Sequence, residues 1–485
     1  MNQSQHDLHQ DFNRLLKLAQ SARVRLKAYI HNIQKAGNQY LPNVADVLLD
    51  ESKHLDQKFE SLETQIKQAV HSEQKVALSH ELRILYSLLG STLSMSDWQA
   101  PGFETSKTLL MGQQKPHVTP HYRDYKRDRH HNGVLYQKKF VKEYIDKQLH
   151  RSPEAFVFSS GQSAFTTVAL NVRSRILPGD KIFVGRGTYF ENMFILTRMF
   201  NEKIVFFDEM DIDQLKQLVV MYKPRAVFVD TLSNTLGMPA LNIQRFTKEV
   251  LPMLQWDSYL VFDNTLLATS FQPLMQLPLF GHIRYYVVES LMKYHQFGMD
   301  RVTGGVVTCS EIDGISLMRQ RIHYGTMMSD ACVEMLPTPD RKMFDARLAR
   351  LQRNTVYLSR LVYEHLMKHP HRHISHVVHP QLPNHPAYEW SKDAKFMGSS
   401  FSFVFKKGHE HYFIYRMIMN RVFRAAKRAG VMISGGTSFG YDATRIYLTA
   451  RFASVNVTPF LRISPGTETQ EEIEKLGEVL IRALS

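Results

Sequence analysis

From about residue 154 to 310 the chain alternates short β-rich runs with helical stretches, and this alternation restricts its fold more than any other feature. The runs Ala155–Ser159, Lys181–Gly185, Lys203–Asp208, Ala226–Thr231, Tyr259–Asn264, Arg284–Glu289 and Gly304–Cys309 read as strands. Between them, Asp211–Tyr222 and Ile243–Leu254 have helical spacing. Strand–helix alternation at this interval predicts an α/β domain around a mostly parallel sheet. Ligands of such sheets bind beyond the carboxyl ends of the strands, so function is sought among polar residues there.

The flanks have a different character. Residues 1 to about 98 read as helical, with Leu8, Phe12, Leu15, Leu16, Leu18, Ala22, Leu26, Ile30 and Ile33 recurring at helical spacing. A second long stretch runs from about Val44 to Leu93, after stop and restart signals at Ala36-Gly37 and Leu41-Pro42-Asn43. The expectation is a helical hairpin that packs on the main body or on another subunit. Residues 99–153 are poor in periodicity and read as an arm. Residues 154–330 form the α/β domain. From 331 to 485 a second, α+β domain is predicted, with helices over Phe344–Lys368 and His409–Gly430 and strands at Ser400–Phe405, Val431–Ser434 and Phe460–Ile463.

Composition narrows the class without deciding it. A chain of 485 residues can bury a large core. Its two cysteines, Cys309 and Cys332, build no disulfide framework and share no metal-ligand spacing, which fits a reducing compartment. The opening MNQSQHDLHQ is polar and mixed in charge, unlike a secretory signal, and no apolar run reaches the length of a spanning helix. A cytoplasmic protein with no membrane partner is expected. The net charge of +14 is scattered, and its densest run, Tyr122 to Arg129, is broken by acids. This favours a solvated surface or small anionic ligands over nucleic acid.

Three strand ends carry chemistry. Ser159-Ser160-Gly161-Gln162-Ser163-Ala164 closes the first strand and opens a helix, where backbone N–H groups can cradle a phosphate; the bland alternative is a simple cap. Asp263 ends the run Tyr259-Leu-Val-Phe-Asp and either caps the next turn or pairs with a buried cation. Lys293 follows the strand Arg284–Glu289. A lone lysine there is ordinarily a surface residue, and its promotion rests on its neighbours.

Those neighbours form a collinear series. SSGQSA, GTYFEN, DTLSNTLGMP, FDNTLLATSFQPL and ESLMKYHQFGMDRVTGGVV, followed by HPQLPNHPAYEW, FMGSSFSFVF, ISGGTSFGY and TPFLRISPGTET, resemble the Cys/Met-metabolism family of pyridoxal-5′-phosphate (PLP) enzymes. This family includes cystathionine γ-synthase, cystathionine β-lyase and methionine γ-lyase. The resemblance covers about 120 to 485. It implies the type I, aspartate-aminotransferase-like PLP fold, with a mostly parallel seven-stranded sheet, a smaller C-terminal domain and, in this chain, a helical N-terminal extension.

The resemblance also implies roles. Lys293 matches the Schiff-base lysine, and Asp263 the partner of the pyridine nitrogen. Gly161 and Gln162 match the backbone amides on the phosphate, and Ser290 a side-chain ligand of it. Tyr189 matches the tyrosine over the ring, and Asn234 the asparagine near the ring oxygen. Tyr125 and Arg127 match a Tyr-x-Arg pair that reaches the phosphate of a neighbouring subunit, which makes a homodimer the minimum unit and a homotetramer compatible. Arg462, with Ser434 near it, matches the grip on the substrate carboxylate. Lys293, Tyr189 and Tyr125 are the implied catalytic groups, and the implied reaction is β- or γ-elimination or replacement on a sulfur-containing or O-activated amino acid.

The chain departs from the family pattern at four points. Met292 stands where a threonine is usual, Thr235 replaces a proline, Gln162 replaces a methionine, and Phe190-Glu191-Asn192 replaces a glycine-containing segment. These changes keep open a relative recruited for other PLP chemistry on an amino acid, and a non-catalytic binding protein. The cluster His365, His369, His371, His373, His376 and His379 has no acidic or cysteine companion, so no metal site is expected.

Overall fold

The computed structural model describes residues 2–36, 42–93, 131–146, 153–270, 272, 283–451 and 458–485. Three N-terminal helices come first: α1 (Gln3–Ala36), α2 (Pro42–Gln68) and α3 (Ser72–Leu93). The expected single second helix is therefore two. Gln74 Oε1 accepts the N–H groups of Val70 and His71, both at 2.9 Å, and so caps a fresh start. Helix α4 (His131–Tyr144) follows.

The main sheet contains β1 (Pro153–Phe158), β2 (Ile182–Gly185), β3 (Ile204–Phe207), β4 (Ala226–Asp230), β5 (Tyr259–Asp263), β6 (Arg284–Ser290) and β7 (Gly305–Ser310). Its order is β1-β7-β6-β5-β4-β2-β3. The pairs β2–β3, β2–β4, β4–β5 and β5–β6 are parallel, and β7 runs antiparallel to both β6 and β1. Strands β2, β4 and β5 are apolar at successive residues up to their ends because both faces are covered. Phe183, Val227, Leu260 and Phe262 enter one core, while Ile182, Val184, Phe228 and Val261 enter the other. Helices α5 (Gly161–Arg173), α6 (Phe190–Phe200) and α7 (Ile212–Tyr222) connect the early strands. The predicted helix over Ile243–Leu254 is instead a single α-turn, a wide turn at Phe246–Val250 and a tight one at Leu251–Met253. Pro252 supplies no N–H there, so a regular ladder cannot continue.

Helix α8 (Arg341–Lys368), capped by Asp340, leads to a second sheet. That sheet has the order β10-β11-β12-β9-β8, with β8 (Ile374–Val378), β9 (Phe401–Phe405), β10 (Ser434–Gly435), β11 (Arg445–Thr449) and β12 (Phe460–Ser464). Helices α9 (Tyr412–Arg428) and α10 (Gln470–Leu484) cover it. Strands β8 and β11 were not anticipated, since histidines and charges interrupt their apolar alternation. Among the described residues no helix is long and apolar enough to cross a membrane.

The N-terminal helices pack on the body of the chain itself. Phe12, Leu15, Leu18, Phe59 and Leu82 share one core with Leu291, Tyr294 and Phe297 from the loop after β6. Buried ions reinforce the contact. Asp7, 1% exposed, meets Arg350 Nε at 3.3 Å and Arg353 Nη1 at 2.9 Å and accepts the Gln470 N–H at 2.9 Å. Removing one member of such a group strands the others. Asp7→Ala is expected to cost about 3–5 kcal/mol of stability, readable as a lower unfolding midpoint in denaturant.

Candidate active site

The four strand ends Gly185, Asp230, Asp263 and Ser290, together with the turn after β1, lie along one edge of the main sheet. A cavity of about 490 Å³ opens at this edge, walled on its other side by the second sheet. Of the residues singled out in the sequence, Gly161, Gln162, Tyr189, Asn234, Asp263, Ser290, Lys293 and Arg462 all line it. So do Met292 and the segment Phe190-Glu191-Asn192. Ser434 does not. It sits in β10, where its N–H bonds to the Thr444 carbonyl. Tyr125 and Arg127 lie outside the described residues.

Ser160 caps α5 and accepts the Ser163 N–H at 2.9 Å. Gly161 and Gln162, whose N–H groups belong to the first turn, line the cavity at the positive end of the helix. The turn is tight. A Cβ on Gly161 would stand 2.9 Å from the Ser290 Cβ, and one on Gly305 would strike the Ser160 carbonyl.

Asp263 stands at the end of β5, in register with Asp230 of β4. Its carboxylate accepts from neutral donors only, Asn192 Nδ2 at 2.8 Å and the Thr265 N–H at 3.0 Å, and among the described residues it has no ion pair. Burial pushes its pKa up. Asp230 is raised well above the usual range, first by burial and then by the charge of Asp263. Gln162 Nε2 donates to Asn192 Oδ1 at 3.1 Å, so a side-chain relay runs from the helix start to Asp263. Sequence reasoning expected only the Gln162 backbone to matter.

In the same cavity, Lys293 Nζ donates to Ser438 Oγ at 2.8 Å and lies 5.1 Å from the Phe439 ring centre. Burial, helped by the Arg462 charge, lowers the Lys293 pKa to about 8. Arg462 is 4% exposed and donates to Asn234 Oδ1 at 2.7 Å and to the Ser438 carbonyl at 3.2 Å. Burial lowers its pKa to about 10, which leaves it a cation at neutral pH. Ser438, not Ser434, therefore bridges the lysine and the arginine. Tyr189 has its phenol pushed above its ordinary range by burial and then by Glu191, so it stays protonated.

Sequence reasoning missed Ser438, Thr265, Asp230 and the inward turn of Asn192. Thr265 lies two residues after Asp263, and its Oγ accepts the Ser290 N–H at 3.0 Å. That proximity was the one local hint. Ser438 carries a φ of +75°, which no local pattern announces.

The cavity fits PLP. An aldehyde-bearing pyridinium phosphate needs an amine, a carboxylate free of other cations, and amide donors for the phosphate. Asp263 is enclosed beside neutral donors, which a ring N–H⁺ would complete. The first turn of α5 offers N–H groups where a side chain would not fit. Among the described residues no group of three or more His, Cys, Asp or Glu side chains is arranged to hold a metal ion.

Known proteins similar to this chain bear on its fold and family. A curated relative, the bifunctional enzyme flvA of Aspergillus flavus, is 28% identical over 341 residues, a stretch that covers 69% of this chain and 39% of that protein. This chain thus spans about two fifths of the length of the curated relative it matches. Among solved structures, cystathionine γ-synthase of Xanthomonas oryzae pv. oryzae in complex with cystathionine superposes with a TM-score of 0.57 at 21% identity, over 75% of this chain and 88% of that one. Cystathionine γ-lyase of Lactobacillus plantarum complexed with L-serine gives 0.58 at 17% identity, over 77% and 91%. At such identities the likeness concerns the fold. The family model of the Cys/Met metabolism PLP-dependent enzymes matches residues 111–475, most of the sequence. With this match over a site that suits the cofactor, the chain belongs to the Cys/Met metabolism PLP-dependent enzymes.

Proposed function

We propose that this chain catalyses β- or γ-elimination or replacement on a sulfur-containing or O-activated amino acid, with PLP linked to Lys293. The observation that carries the reading is the meeting of Lys293 and Arg462 at Ser438, across one cavity from Asp263. The bound cofactor supplies an electron sink for the substrate α-carbon. Arg462, oriented by Asn234, holds the substrate carboxylate as a buried cation. Asp263 keeps a proton on the ring nitrogen by its charge. Gly161, Gln162 and the Ser290 hydroxyl would hold the phosphate, and Tyr189 would pack on the ring.

Lys293 Nζ, neutral above about pH 8, takes the α-proton. Tyr189, kept protonated by burial and by Glu191, donates a proton to the leaving group. Either water or a thiol completes the turnover. Tyr125 and Arg127 complete the neighbouring subunit's site, so the working unit is at least a homodimer, with a homotetramer compatible, in the cytoplasm and serving transsulfuration.

A second reading, other PLP chemistry on an amino acid in a specialised pathway, is favoured by one observation. Glu191, an exposed carboxylate, and Arg451 both stand on the cavity wall. Incubation with cystathionine, with O-acylhomoserine plus a thiol, and with methionine separates the two. Keto acid with ammonia, or a thioether, is expected under the first reading. Silence with all three, alongside an intact cofactor band, supports the second. A purified protein that takes up PLP with no visible band at all would sink both.

The cradle gives a further expected result. Gly161→Ala drives a methyl group into Ser290, a strain of roughly 1–3 kcal/mol. Cofactor affinity should fall about 5- to 150-fold, as measured by equilibrium titration with PLP.

A further inference from the structure

We propose that Arg14, on the N-terminal helix α1, is a positioning residue that holds the Lys293–Ser438 pair in register. The inference rests on the reading of Lys293 as the cofactor lysine. Arg14 lies outside residues 111–475, the part of the chain that matches the family model.

Lys293 and Ser438 come from different parts of the chain, 145 residues apart, and each is followed by a strained turn. After Lys293 the backbone passes through Phe297 at φ +51° and Gly298 at φ +84°. After Ser438, itself at φ +75°, it passes through Gly440 at φ +82°. A bulky residue such as phenylalanine enters the left-handed region only where its surroundings over-determine it. Arg14 supplies that constraint directly for the first turn and, through Asp442, for the second. Its Nη1 donates to the Phe297 carbonyl at 2.6 Å, and its Nη2 meets Asp442 Oδ2 at 3.1 Å. Asp442 in turn receives Arg347 Nη1 at 2.6 Å, while Arg347 Nη2 donates to the Gly440 carbonyl at 2.8 Å.

Three further facts indicate that the arrangement is rigid. Arg14 is 6% exposed and Arg347 4%. Burial pushes the Asp442 carboxyl up, but the charges of Arg14 and Arg347 outweigh it and hold the acid well below its usual range. The packing around the turn has no slack. A Cβ on Gly298 would stand 2.7 Å from Asp442 Oδ1, and one on Gly440 would stand 2.7 Å from the Lys293 carbonyl. One guanidinium thus ties the position four residues after Lys293 to the position four residues after Ser438.

The consequence is electrostatic as well as geometric. The groups acting on Lys293 Nζ are Arg462, Asp300, Glu191 and Asp263, with burial the largest influence. Loosening the two turns admits water, weakens that burial and lets the amine regain its proton.

The test uses the full chain with Arg14→Gln and Arg14→Lys. The first loses the charge, and the second keeps it with a single donor head. Hydrogen exchange is followed at residues 294–298 and 438–442, with and without PLP, and the pH at which PLP attachment reaches half its maximal rate is recorded. Exchange at both turns is expected to rise about tenfold or more, and the half-rate pH to move up by roughly half a unit or more. Arg14→Lys should fall between Arg14→Gln and the native protein on both readouts. Folded Arg14→Lys protein with native exchange and a native midpoint overturns the proposal, and this variant decides the matter if Arg14→Gln does not fold. A PLP band that survives Lys293→Ala would instead refute the reading of the site. A band lost in Lys293→Ala but native behaviour in the Arg14 variants refutes the brace alone.

Discussion

Lys293→Ala is expected to abolish the visible band of the linked cofactor and to lower turnover by about 10³-fold or more. The size follows from two losses at one atom, since in the proposed reaction the amine both anchors the cofactor and takes the α-proton. Neighbouring groups cannot replace it. The other cation in the lining that faces Ser438, Arg462, stays charged at neutral pH and cannot act as a base. The same amine sets a pH dependence. Its pKa is lowered to about 8 from 10.5, chiefly by burial. Below that pH the folded, cofactor-free protein carries an ammonium, which cannot attack a carbonyl; above it the amine is neutral. The rate of PLP attachment should therefore rise as pH passes upward through about 8. Stability has the same sign, because between about 8 and 10.5 the unfolded chain binds more protons than the folded one. A stopped-flow attachment rate that is flat from pH 7 to 9.5 would contradict this account.

Arg462→Ala is expected to lower kcat/KM about 30- to 5000-fold while leaving the cofactor band in place, the equivalent of roughly 2–5 kcal/mol for a buried charge that meets a charged partner. The guanidinium is held by Asn234 and by the Ser438 carbonyl, so its orientation is set before substrate arrives. Arg462→Lys keeps the charge but loses the planar fork, and should recover only part of the loss. An Arg462→Ala protein with native kcat/KM would remove the arginine from substrate binding. A protein that loses its cofactor band as well would show that Arg462 acts on the cofactor instead.

Both effects depend on basic and acidic groups sharing one cavity. Lys293, Arg462 and Ser438 are linked by hydrogen bonds and line the same cavity as Asp263, Asp230 and Tyr189, whose N–H donates to Asp230. The acids come from strand ends of the parallel sheet. The bases bring together a loop of the first sheet and strand β12 of the second. Neither sheet makes the site alone.

The sequence determined on its own those features that depend on local periodicity. Runs such as Tyr259-Leu-Val-Phe are apolar at every residue, which only a strand covered on both faces requires, and they announced the sheet. A parallel sheet collects its strand ends at one edge, which drew attention to Gly161 and Asp263 from local pattern, whereas Lys293 stood out only through the collinear resemblance. Arg462 and Asn234 came from the collinear resemblance. The tertiary structure decided what depends on contacts between distant segments. Ile433-Ser434-Gly-Gly-Thr-Ser438 offers two serines to one arginine, and only the left-handed backbone at Ser438 and its bond to Lys293 select between them. Asn192 was only a departure from the family pattern in the sequence, yet it turns onto Asp263 because the start of α6 lies beside the end of β5. Arg14 carried no signal in sequence, since an arginine in an amphipathic helix ordinarily faces water. It matters because α1 folds back over the turn at Phe297, 283 residues away, where a backbone carbonyl and a carboxylate converge on it. Side-chain period and composition are properties of neighbours along the chain, whereas burial, charge pairing and backbone strain belong to neighbours in space.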